Sequence, residues 1–228
     1  MDRPNLNCLF NTHNLSDRTS KYLTEVYSTM LKGLLITGLS CFVGTYFLEF
    51  IMKLFFILAA STFFLVIYMT FSQNNTNKMN LFYLFSCLEG LTISPLVFNA
   101  HLIDTTIVPS AIALTIITFG TFTYLSMYTN KRNILYFGGI ASTILTVLCI
   151  SSFVNLFLQS SILFQIDIYL GLVLFCFYII YDTQMVIQEF EMGQNDIVHH
   201  AMTFYLDFLN IFIRILIILM KNSKKKKK

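Results

Sequence analysis

From Tyr27 to Met220 the chain is a nearly unbroken succession of apolar stretches, each about 20 residues long, and no other feature so narrows what it can fold into. The stretches run from Tyr27 to Leu48, Leu54 to Phe71, Met79 to Ala100, Ile107 to Tyr128, Ile134 to Leu156, Ile166 to Ile187 and Val198 to Met220. As a helix, each is long enough for the ~30 Å hydrocarbon core of a bilayer, where only helices and closed barrels satisfy their own backbone. A chain of 228 residues that is 56% hydrophobic and only 12% charged is too apolar for a soluble domain of that size. The expected fold is an all-α membrane protein: seven transmembrane helices forming one bundle over residues 27–220, a cytosolic tail over 1–26 and a lysine-rich tail over 221–228. The turn between the first two helices should fall at Glu49–Lys53, and no loop has room for a second domain.

Basic residues set the expected orientation. Arg3, Arg18, Lys21, Lys78, Lys131 and Arg132 lie on the side of the N-terminus, while the opposite loops offer only Lys53, so the N-terminus should be cytosolic. Seven full crossings would then carry Lys224 to Lys228 to the far side, against the same rule, unless the last segment returns or another does not cross. The polar stretch Met1 to Lys21 has no apolar core of its own, so no cleavable signal peptide is expected and the first helix directs insertion. The sequons Asn14-Leu15-Ser16 and Asn74-Asn75-Thr76 fall on the cytosolic side and should stay unmodified. Tyr22, Tyr27, Tyr128 and Tyr136 are placed to act as interfacial anchors in a chain without Trp. Cys8, Cys41, Cys87, Cys149 and Cys176 have neither disulfide nor zinc-ligand spacing and read as reduced. The net charge of +3 rests on the five terminal lysines; the rest is slightly acidic, which argues against nucleic acid as a partner, and the expected surroundings are the lipid bilayer. That tail could touch anionic headgroups, and Lys225 and Lys226 resemble a dilysine retrieval signal for the endoplasmic reticulum.

The informative residues are the ionisable ones inside the apolar stretches, which by default mark ion or proton pathways. Asp182 sits in the sixth stretch and Asp207 in the seventh, at nearly matching distances from the turn that joins them. In an antiparallel hairpin they should meet and titrate as a coupled pair. In the seventh stretch His200, Thr203, Asp207, Asn210 and Arg214 recur at intervals of three and four residues, a polar seam along one helix face. A helix so marked is marginal in lipid and needs other helices around it, which predicts a central position. Glu89, close to Pro95 in the third stretch, either extends the polar path or bonds a neighbour. Glu189, Glu191 and Asp196 would make an acidic cytosolic mouth, with His199 and His200 beside it on different faces. The functional reading of the seam is a proton-sensitive gate on a cation path, in which Arg214 holds the ionised Asp207 or blocks the seam; the bland one is a network that only joins helices. Ser40 to Gly44 and Gly138-Gly139 read as close-packing sites. No HExxH, GxSxG, Walker or paired-cysteine motif appears, so neither an enzyme nor a cofactor is expected.

Several segments together carry a resemblance: Lys21 to Tyr27, Ser94-Pro95, Tyr136 to Ile140, Ser151 to Asn155, Tyr169 to Val173, Tyr181-Asp182-Thr183-Gln184, Leu206-Asp207-Phe208 and the lysine-rich end. In these the chain resembles the Bax inhibitor family, the transmembrane Bax inhibitor motif proteins. The resemblance implies seven helices with the last enclosed by the other six, residence in the endoplasmic reticulum membrane, suppression of stress-induced cell death and a pH-sensitive calcium leak. It also implies that Asp182 and Asp207 are the family's paired aspartates, with calcium as the permeant ion held only transiently between them, and that Bcl-2-type proteins are partners. Rival expectations are a calcium/proton antiporter using the same pair and a non-transporting adaptor for cell-death regulators.

Overall fold

The computed structural model describes residues 17–71, 75–126 and 131–226. Arg3, Cys8, Asn14, Asn74 and Tyr128 lie outside these, as do the side chains of Lys131, Arg132 and Tyr136. Among the described residues there is no strand. The helices are α1 (Asp17–Gly44), α2 (Leu48–Phe71), α3 (Asn75–Ile103), α4 (Ile107–Ser126), α5 (Lys131–Leu158), α6 (Ser161–Glu191) and α7 (Ile197–Lys226).

Continuous helical runs long and apolar enough to cross a bilayer number six among the described residues, not the expected seven, because α1 and α2 join in one run, Asp17–Met69, of 53 residues. They join through a 3₁₀ turn at Thr45–Phe47, where Gly44 and Leu48 both keep right-handed helical angles. The expected turn at Glu49–Lys53 is helical instead. No residue there breaks a helix, so the hydrogen-bond ladder tightens without stopping. A straight run of that length would measure about 80 Å at ~1.5 Å per residue, far more than a bilayer's core, yet both halves pack on α3. The first half runs parallel to α3, with Gly33 against Phe82 and Gly44 against Ser94. The second runs back along it: Thr62 lies near Glu89, and Met69 reaches the pocket that holds Lys78.

At the other end α1 starts ten residues before the expected boundary, and Thr19, Tyr22, Leu23 and Val26 are buried. Tyr22 and Tyr27 are therefore not interfacial anchors. Tyr22 stacks on Phe190 with ring centroids 4.1 Å apart, and Tyr27 stacks on Phe204 at 5.1 Å.

Helix α7 is the axis of the bundle. From His200 to Lys221 not one of its residues is exposed. It packs on α1, α3, α4 and α6, so it is walled by four helices where all six others were expected; α2 lies behind α3, and α5 packs on α6. The helix is unbroken, so the last segment does not return, and its lysines end at the face opposite the start of α1. Its non-polar faces explain the seat: Tyr205 makes edge-to-face contacts with Phe82 and Phe85, and Phe204 and Phe208 do so with Phe119 of α4. Large apolar side chains such as Phe56, Phe63, Leu156 and Phe157 point outward, as a lipid-facing surface requires.

Local chemistry holds the joints. Pro95 removes the donor that would have bonded Leu91, and the Ser94 hydroxyl takes that carbonyl at 2.7 Å, so α3 continues through the proline. Gly193, at φ 91°, ends α6 in the left-handed conformation that a side chain would resist. Asp196 then caps α7, its Oδ1 accepting the His199 backbone N–H at 3.0 Å.

Candidate functional site: a cavity between α5, α6 and α7

Because α5 packs on α6 and leaves α7 apart, a cavity of about 580 Å³ opens between the three, ample for several waters. Helix α7 contributes Thr203, Asp207, Asn210 and Arg214, four of the five seam residues; α6 contributes Phe175, Tyr178 and Asp182; α5 contributes Leu145, Leu148, Cys149 and Ser152. The α6–α7 hairpin sets Glu189 beside His200 and, in the same register, Asp182 beside Asp207; Arg214 reaches Gly171, four residues beyond that register. Each aspartate lies seven residues from the Glu189–His200 contact, about 10 Å at ~1.5 Å per residue. The two carboxyls lie close enough to act on each other electrostatically. Asp207 is 4% exposed, and its Oδ2 has no partner.

The remaining candidates are distributed differently from the sequence reading. Arg214 does not hold Asp207. Its Nη1 donates to the Asn210 Oδ1 at 2.9 Å and to the Asn210 carbonyl at 3.3 Å, and its guanidinium lies 4.7 Å from the centre of the Phe175 ring. Seven residues along a helix amount to about 10 Å, which sets Arg214 well away from Asp207. A further buried carboxylate, Asp167 on α6, accepts from the hydroxyl of the cavity-lining Ser152 at 3.1 Å. Glu89 does not line this cavity; it sits on the α2 side of α3, near Thr62. Thr203 lines the cavity while its hydroxyl donates to the His199 carbonyl, and Asn210 donates to the Leu206 carbonyl.

His200 leaves the seam for a second pocket of about 270 Å³ at the α6–α7 turn, shared with Lys78, Glu189, Asp196 and His199. Its Nε2 lies 2.8 Å from Glu189 Oε2 and its Nδ1 lies 2.6 Å from the Tyr22 hydroxyl. The acidic mouth is partly neutralised, because Lys78 Nζ lies 2.6 Å from Asp196 Oδ2. Burial works to raise the Asp196 carboxyl, but the Lys78 hydrogen bond and charge and the His199 N–H outweigh it and hold the carboxyl below its ordinary range. Among the described residues no three His, Cys, Asp or Glu side chains form a metal-binding group.

Sequence reasoning missed Tyr22, Lys78, Asp167, Gly171 and Phe175. Asp167 left a signal: it is a carboxylate within an apolar stretch on the helix that carries Asp182. The other four take their roles from helices or rotamers that no local pattern encodes.

Apolar helices turned outward around an ionisable, cavity-lining interior define a multi-pass membrane protein with an internal polar site. A family model described as "Inhibitor of apoptosis-promoting Bax1" matches residues 19–224, and the chain belongs to that family. Similar proteins include Bax inhibitor 1 of Bos taurus, 29% identical over 228 residues that cover 98% of this chain and 96% of that protein. Probable Bax inhibitor 1 of Paralichthys olivaceus is 30% identical, covering 98% of this chain and 95% of that one. Bax inhibitor 1 of Arabidopsis thaliana is 35% identical over 150 residues, covering 65% and 61%.

Proposed function

We propose that this chain is a non-enzymatic protein of the endoplasmic reticulum membrane, N-terminus cytosolic, which lets calcium leak from the store under control of Asp182 and Asp207 and so suppresses stress-induced cell death. The observation that carries the reading is the meeting of the two carboxyls inside the cavity, with Asp207 Oδ2 left without a partner. Suppression of cell death rests on the family description and on the names of the relatives.

In the closed state the pair shares a proton and its hydrogen bond ties α6 to α7. Loss of that proton leaves two like charges, which repel by about 4 kcal/mol at ~4 Å and an effective dielectric of ~20. A hydrogen bond between membrane helices contributes only ~0.6 kcal/mol on average, so repulsion wins, the carboxylates rehydrate and calcium passes with water as its main escort. The pair is a transient way-station for the ion, since two carboxylates alone supply fewer than the six to eight oxygens calcium prefers.

The test is calcium efflux from proteoliposomes holding the purified protein, with internal pH followed at the same time. Efflux linear in the calcium gradient and independent of counter-moving protons is expected. Saturating efflux with a fixed proton ratio would make it an antiporter, and full protection from cell death by an Asp207→Asn variant without flux would make it an adaptor for partners such as Bcl-2-type proteins.

A further inference from the structure

Around the end of the cavity farthest from the Glu189–His200 contact, a buried donor on α7 and a buried acceptor on α6 are each left without a partner. Asp167 is 9% exposed; its Oδ2 accepts from the Ser152 hydroxyl at 3.1 Å, and its Oδ1 has no partner. Arg214 Nε also has none. The two are linked by the backbone of α6, because the guanidinium rests against Gly171, one helical turn beyond Asp167 on the same buried face. Gly171 has no positive φ and no turn to explain it. What it provides is space, since a Cβ there would collide with the Arg214 guanidinium itself.

We propose that Arg214 has two seats, the one seen on Asn210 and Phe175 and a second on Asp167, and that transfer between them over the Gly171 notch sets how easily a divalent cation passes this end of the cavity. The inference rests on the proposed leak and deepens it. In the first seat a guanidinium lies at the cavity wall with no carboxylate bonded to it, and it repels a cation approaching from the acid pair. In the second seat the fork of N–H donors meets Asp167 Oδ1, the charge is neutralised and the repulsion falls. Long side chains reorient within a fixed backbone, and Arg is suited to both seats because it stacks on aromatic faces and pairs with carboxylates. Asp167 is thus a positioning residue for Arg214, distinct from the pair that binds the proton.

The experiment compares wild type, Asp167→Asn, Arg214→Gln and the double variant for calcium flux in proteoliposomes, with Asp182→Asn as the control for the acid pair. Asp167→Asn should lower flux about tenfold while leaving the pH at which flux changes where it was. Arg214→Gln should remove that loss, so that the double variant matches Arg214→Gln alone. Unchanged flux in Asp167→Asn, or independent losses in the two single variants, would overturn the two-seat assignment even where Asp182→Asn upholds the leak. Thermal unfolding in detergent decides the case without transport: the Tm loss from Asp167→Asn should shrink by at least half in the Arg214→Gln background, and equal losses in both backgrounds would overturn it.

Discussion

At the scale of single residues, four of the five seam residues on α7 and the common depth of the two carboxylates were legible, because they depend on spacing along one helix and on matched distance from one turn. The partner of Arg214 was not. Its seat is chosen by a missing Cβ at Gly171 on the neighbouring helix and by the Phe175 ring beneath it. Those are facts of close contact, invisible in a pattern of polar and apolar letters. Gly171→Ala should therefore destabilise the protein by about 1–3 kcal/mol, the usual cost of overpacking, measured as a lowered Tm in detergent. Gly139→Ala is the matched control, since nothing lies within 4 Å of a Cβ there; equal losses in both would show that Gly171 matters only as a glycine.

At the scale of elements, the all-helical content followed from the apolar runs, whereas the separation of the first two helices and the start of α1 did not. The polar start of α1 is helical because Tyr22, Leu23 and Val26 find partners across the bundle, and the bend at Thr45–Phe47 contains no breaker to announce it. The α6–α7 turn is where an element-scale prediction applies. Asp196 caps α7 and pairs with Lys78, and its side chain is 34% exposed. The cap contributes about 1 kcal/mol, and an ion pair so open to water at most about 1 more. Asp196→Ala should cost roughly 1–2 kcal/mol at neutral pH. Because the folded carboxyl is held below its unfolded value near ~3.9, its contribution is complete above that pH and is lost as pH falls through the lower, folded value. Wild type and Asp196→Ala should converge in Tm as pH falls through that lower, folded value; a constant gap across the series would show that the carboxylate is not the source.

At the scale of the molecule, the chain is a membrane bundle turned inside out in its polarity: apolar side chains face outward, and the ionisable ones gather on and around one central helix. The cavity exists because α5 leans on α6 and leaves a gap toward α7, a tertiary choice with no trace in any one segment. Asp182 and Asp207 both line that gap. The central claim is that Asp182 and Asp207 act as one titrating unit controlling ion passage. The most direct measurement is calcium efflux from proteoliposomes across a pH series for wild type, Asp182→Asn and Asp207→Asn. The account predicts a pH-dependent wild-type flux and, in both variants, the same flattened curve, since either substitution removes the shared proton site. Three superimposable curves, or a variant that keeps the full pH response of the wild type, would contradict it.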